Sequence, residues 1–186
     1  MDQLRRHIEE ILPLTDEDFS CIASHFSTKR FKKGDYLIEV GKAVPQMFFV
    51  ARGLLKLFYR DESGKDHILS FPREDWWETD YLAFNTKTKA KINLQCLEAS
   101  EILCITLKDY HKLCNQLPKL QHFFLEKATA GHIASQQRIL SLLSSTAEVR
   151  YEQLLRRYPT LLQRVSKTLL ASYLGVSRET LSRLSS

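Results

Sequence analysis

Three textures of apolar and polar residues follow one another along the chain. In the first 28 residues Leu4, Ile8, Ile11 and Leu12 share one helical face, and Pro13 interrupts it. Thr15-Asp16-Glu17-Asp18 then starts a second helix with a capping threonine and acidic residues in the first turn, where the helix dipole favours negative charge. From Phe31 the pattern shortens into β-rich runs at 36–40, 47–50, 54–59, 67–71, 92–97 and 101–105, punctuated by Gly34, Gly41, Gly53 and Gly64. Short strands separated by turn residues predict a compact antiparallel barrel or jelly roll.

The clearest hairpin joins 54–59 to 67–71 through Arg60-Asp61-Glu62-Ser63-Gly64-Lys65, with Gly64 able to take the positive φ of the turn. Residues 72–84 carry both tryptophans and are too polar and too long for a tight turn, so a loop with a helical turn is expected there.

Helical spacing then returns. A short helix is predicted over 107–117, and Pro118 opens a longer one from Lys119 to about Ser145, a place where proline costs no intrahelical donor. About 27 residues at the helical rise would span roughly 40 Å. Leu120, Phe123 and Phe124 make its first end bulky, whereas Ala128, Ala130, Gly131, Ala134 and Ser135 make its middle small. That middle suits close approach of a second subunit or packing on the chain's own β region. A further helix is expected over 147–158, ended by Pro159, and a last helical pair over 165–186.

Composition narrows the class. With 44% hydrophobic and 26% charged residues and few glycines and prolines, the 186-residue chain reads as globular rather than disordered or low in complexity. No apolar run reaches the roughly 18 residues of a membrane span, and the first seven residues lead into no signal-type apolar core, so no membrane association and a cytoplasmic location are expected. Cys21, Cys96, Cys104 and Cys114 show neither zinc nor iron–sulfur spacing and are read as reduced thiols. His67 is the only histidine between Phe31 and Ile105, too few for cupin-like metal chemistry, and there is no phosphate loop or nucleophile elbow. No catalytic residue, metal or cofactor is expected, and the chain is not expected to be an enzyme.

The net charge of +5 is unevenly placed. Residues 1–119 hold 18 Lys/Arg against 18 Asp/Glu, and residues 120–186 hold 9 against 4, so the whole surplus lies in the last third. Such a face is either solvated or a contact for nucleic acid.

The sequence from Lys167 to Leu184 decides between these. A helix-turn-helix needs a small residue where two helices cross, a residue tolerant of left-handed φ in the turn, and apolar residues at inward positions. Ala171 is the small residue and Gly175 the turn; Leu170, Leu174, Val176, Leu181 and Leu184 are the inward positions, and Ser166 and Ser177 are the caps. Arg178, Glu179, Ser182 and Arg183 project from the second helix. Arginine can bind the N7 and O6 of guanine, glutamate can accept from the N4 of cytosine, and hydroxyls reach phosphates or base edges.

On these residues, above all Gly175-Val176-Ser177-Arg178-Glu179-Thr180-Leu181-Ser182-Arg183, the chain resembles the Crp/Fnr family of transcription regulators, the cyclic-AMP receptor protein group. The resemblance implies an α+β fold: a cyclic-nucleotide-binding-like β-roll (jelly roll) with flanking helices over 1–118, a dimerisation helix over 119–145 and a helix-turn-helix DNA-binding domain over 146–186. It also implies Arg178, Glu179 and Arg183 as base readers and Thr168 and Ser177 as phosphate contacts, with Lys167 and Ser182 completing the DNA-facing set. Partners on this reading are a palindromic double-stranded operator and a second copy of the chain, with RNA polymerase as a further candidate. The competing class is a ligand- or protein-binding β-roll module whose C-terminal helices serve assembly.

Two departures matter. Cyclic-nucleotide-binding members carry an Arg-Ser or Arg-Thr pair for the cyclic phosphate, yet no arginine lies between Arg73 and Arg138, so the bidentate phosphate clamp is missing. Lys87 and Lys89 offer point charges there, while Glu78 and Asp80 oppose an anion. A cyclic nucleotide is therefore not expected as effector. Trp76, Trp77, Glu78, Lys87 and Lys89 remain a candidate pocket for another small molecule, or else Trp76 and Trp77 are core or lid packing. The second departure is that only two residues follow Leu184, so no β-wing is expected after the recognition helix.

Overall fold

The computed structural model describes residues 1–184. The expectation that no wing follows Leu184 concerns positions outside them. The chain consists of two compact units: Met1–Leu57 with Phe71–Ala128, and Phe58–Ser70 with the described residues from Thr129 onward.

The first unit opens with α1 (Asp2–Glu9), which buries Leu4, His7 and Ile8, and α2 (Asp16–Ser24). Thr15 caps α2 reciprocally: its hydroxyl accepts from the Asp18 N–H at 3.1 Å, and the Asp18 carboxylate accepts from the Thr15 N–H at 3.0 Å. The strands are β1 (Ser27–Phe31), β2 (Tyr36–Ile38), β3 (Gln46–Arg52), β4 (Leu55–Arg60), β5 (Asp66–Ser70), β6 (Trp76–Glu78), β7 (Asn93–Cys96) and β8 (Ser100–Thr106), with α3 (Tyr81–Thr86) between β6 and β7. They form two four-stranded sheets, ordered β1-β8-β3-β6 and β2-β7-β4-β5. Pairing is antiparallel for β1–β8, β3–β8, β3–β6 and β2–β7. Both sheets feed one core, in which Phe49, Leu55, Leu94, Ile102, Leu103 and Ile105 have no exposed surface.

Gly53 shows why one position in this roll admits no side chain. Its φ is +119° and a Cβ built there would lie 2.1 Å from the Ser100 hydroxyl oxygen, so any other residue would both strain the backbone and collide with β8.

The expectation for residues 72–84 is corrected in part. Trp76–Glu78 is a strand, fixed by pairing Val50 with Trp76, Phe49 with Trp77 and Phe48 with Glu78; the helix of that region starts only at Tyr81. Ser27–Phe31 is a further strand that the apolar pattern does not predict.

After α4 (Leu107–Gln116), helix α5 (Lys119–Ser144) starts in the first unit and ends in the second. The second unit continues with α6 (Ala147–Arg157), a short α7 (Leu161–Arg164) not expected from the sequence, α8 (Lys167–Leu174) and α9 (Arg178–Leu184). The far half of the β4–β5 hairpin, Phe58–Ser70, groups with these helices.

All four cysteines are free. Burial pushes the thiols of Cys96 and Cys104 up to about 11, so both stay protonated near neutrality. Among the described residues no helix is long and apolar enough to cross a membrane, and no three histidine, cysteine or acidic side chains gather as a metal site.

Candidate nucleic-acid interface

The helix-turn-helix is built by local bonds that its sequence dictates. The Ser166 hydroxyl accepts from the Leu169 N–H and starts α8. Gly175 then adopts φ 68°, ψ 35°, the left-handed turn, and the Val176 N–H closes back on the Ala171 carbonyl at 3.0 Å. Ser177 caps α9, its hydroxyl accepting from the Thr180 N–H at 3.1 Å. Leu170, Ala171, Leu174 and Leu181 are buried at the crossing, whereas Val176 is only half-buried, as is Leu184.

Two buried or half-buried arginines brace this unit. Arg150 donates from Nε to the Leu174 carbonyl at 2.9 Å and from Nη1 to the Ser145 carbonyl at 2.5 Å, tying the end of α8 to the end of α5. Arg138 donates from Nη2 to the carbonyls of Tyr173 at 2.8 Å and Ile68 at 2.9 Å, with its guanidinium 3.6 Å from the Tyr173 ring centroid. Burial lowers the Arg138 pKa from its ordinary value. Part of the basic surplus in the last third is therefore structural: these two arginines hold the scaffold, and Arg156 faces Glu152 at 3.7 Å.

The predicted DNA-facing residues occupy a different situation. Lys167, Thr168, Ser177, Arg178, Glu179, Ser182 and Arg183 are all exposed. Arg178 and Arg183 make no hydrogen bond or ion pair among the described residues, so their donors are available to an outside acceptor. The Glu179 carboxyl is held below its usual range by its own backbone N–H, then by the Ser177 hydroxyl and the neighbouring arginines, so it is an acceptor at neutral pH.

The other candidate set differs in burial within strand β6. Successive strand residues point to opposite faces. Trp77 is buried against Phe26, Phe49, Phe123 and Phe124, at ring-centroid distances of 5.1 to 6.1 Å. Trp76 is half-buried under the Arg73 guanidinium. Glu78 is buried, and Lys87 and Lys89 are exposed. At the start of α3 the Asp80 carboxylate accepts from the N–H groups of Ala83 and Lys91, both at 3.0 Å, so these donors already serve a negative charge of the chain itself.

The middle of α5 bears on assembly. From Ala128 to Gln137 only Ala134 is even half-covered, and further on Ile139, Leu140 and Leu143 are exposed, Leu143 by 82%.

The chain is similar to known proteins in sequence and in fold. Residues 28–117 match the family model of the cyclic nucleotide-binding domain. The transcriptional regulatory protein Btr of Bordetella pertussis is 29% identical, covering 83% of this chain and 68% of its own length. The cyclic AMP receptor protein of Thermus thermophilus is 26% identical, covering 92% of this chain and 81% of its own. Among solved structures, FixK2 of Bradyrhizobium japonicum superimposes with a TM-score of 0.74 at 13% identity, over 86% of this chain and 82% of that one.

Proposed function

We propose, for a chain that is Crp/Fnr-like in sequence and fold, the function of a dimeric, sequence-specific DNA-binding transcription regulator whose sensor roll does not take a cyclic nucleotide. The observation that carries the DNA reading is the contrast among arginines. Arg138 and Arg150 are spent inside the scaffold, whereas Arg178 and Arg183 stand exposed on α9 without a partner of their own. Seated in a major groove, α9 would present its first residues to base edges, Arg178 to a guanine and Glu179 to a cytosine amino group. Ser177 and Thr168 would meet phosphates, with Lys167 adding charge at the start of α8.

Dimerisation is supported by the bare α5. A 26-residue helix whose small middle and apolar end are left to solvent gains most by packing against its own copy. Two recognition helices related by a two-fold axis require half-sites about one helical turn apart, roughly 34 Å. The reading of the roll rests on the absence of arginine between positions 73 and 138 and on Asp80, a carboxylate that already accepts from the Ala83 and Lys91 N–H groups.

The experiment is selection of random duplexes by the purified protein, with and without cyclic AMP. An enriched palindrome, the same in both arms, is expected. Recovery of no motif in either arm would contradict DNA reading, and a motif seen only with cyclic AMP would contradict the assignment of the roll.

A further inference from the structure

The β4–β5 hairpin is attached to the helix-turn-helix by bonds that no local pattern encodes. β5 is the last strand of its sheet, so its outer backbone groups lack a neighbouring strand. The Ser172 hydroxyl on α8 fills that role, donating to the Asp66 carbonyl at 2.6 Å and accepting from the Ile68 N–H at 3.2 Å. Arg138 adds the bond to the Ile68 carbonyl already described. The part of the hairpin from Phe58 to Ser70 and helix α8 belong to the second unit.

This docking forms a cleft of about 360 Å³ lined by Lys65, His67, Ser172, Gly175, Val176 and Ser177. Lys65, itself exposed, thus lines the same cleft as Ser177, the cap of α9. The nearby acid, Asp61, is already committed: its carboxylate accepts from the Ser63 hydroxyl at 2.6 Å, the Ser63 and Lys65 N–H groups at 2.9 and 3.1 Å, and pairs with His67 Nε2 at 2.6 Å. Glu62 is exposed on the same turn. Asp61 is thereby turned inward on the hairpin's own donors, and Lys65 is left as the cation of the cleft.

We infer that the β4–β5 hairpin is a second phosphate-contacting arm of the nucleic-acid interface, with Lys65 as its cation and Ser172 as the residue that positions it. The inference rests on the DNA-binding reading and adds a contact outside the helix-turn-helix. A phosphate held by the Ser177 hydroxyl would lie within the same cleft as Lys65, and such a contact carries no base information.

The test is the salt dependence of duplex binding by the full chain and Lys65→Gln. The proposed dimer loses two phosphate contacts, one per copy, which flattens the slope of log K against log salt by about 1.8, so the variant's deficit should be about twelvefold larger at 50 mM than at 200 mM salt. The deficit should be equal on a preferred and a scrambled duplex. In a Ser172→Ala background, where the hairpin loses both hydroxyl bonds and keeps only the Arg138 bond, Lys65→Gln should have less than half its effect. An unchanged slope, a deficit confined to one base position, or an undiminished effect in the Ser172→Ala background would each overturn the inference. Failure of the unaltered chain to bind any duplex would instead overturn the DNA-binding reading beneath it.

Discussion

Replacing Gly131 with leucine is expected to leave the chain folded and to abolish the proposed dimer. A Cβ added at Gly131 meets nothing within 4 Å, so the chain itself has room for the larger side chain. Leucine is also the better helix former, by about 0.8 kcal/mol. The cost falls only on a neighbouring helix that approaches the small middle of α5. With two half-sites no longer read by one linked pair, operator affinity should fall by about 10² to 10⁴, the usual range lost with bivalence. Sedimentation of Gly131→Leu at micromolar concentration checks this: a monomer with unchanged circular dichroism is expected, and a fully dimeric variant would show that α5 is not the interface.

The second large effect is expected at Leu181, the one buried side chain of α9, with 1% of its surface exposed. Seven residues cannot sustain a helix alone in water, so α9 is helical because it packs on α8, with Leu181 its buried side chain and Leu170, Ala171 and Leu174 those of α8. Leu181→Ala should destabilise the helix-turn-helix by about 2–5 kcal/mol, the range for emptying a buried leucine site. Amide exchange resolved along the chain should show protection lost over α8 and α9 and retained over the strands β3 and β8. Unchanged protection in α9 would mean that something other than this contact holds the helix.

The helix-turn-helix was legible in the sequence because each of its parts is local. Ser166, Ala171, Gly175 and Ser177 act on residues three to five positions away, and a single pass along the chain finds them. The strands bounded by glycines were legible for the same reason. Two strands were not. Ser27–Phe31 is mostly exposed and bears Lys29 and Arg30, a composition that protects a sheet edge and erases the apolar signature of a strand. Trp76–Glu78 is only three residues long and exists through pairing with Phe48, Phe49 and Val50, some 26 to 30 positions earlier. The hairpin arm is the extreme case, since Ser172 meets Asp66 across 106 positions. A serine inside an amphipathic helix gives no hint of a distant strand edge, and a lysine in a polar turn reads as solvated until the fold gives it a cleft shared with Ser177.

Charge was legible only in sum. The surplus of basic residues after position 119 combines two populations that sequence cannot separate: arginines such as Arg138 and Arg150, which satisfy carbonyls of the scaffold, and arginines such as Arg178 and Arg183, which face outward. Only the second population can read a base.

That division makes Arg178 the decisive residue. Binding should be measured for the unaltered chain and Arg178→Ala on duplexes bearing every single-base substitution in one half-site. Base reading by Arg178 predicts a loss on the order of 1–3 kcal/mol that is concentrated at one base pair, with discrimination there relaxed and discrimination elsewhere intact. An equal loss on all duplexes, or no loss at all, would contradict the claim that α9 reads sequence through this side chain.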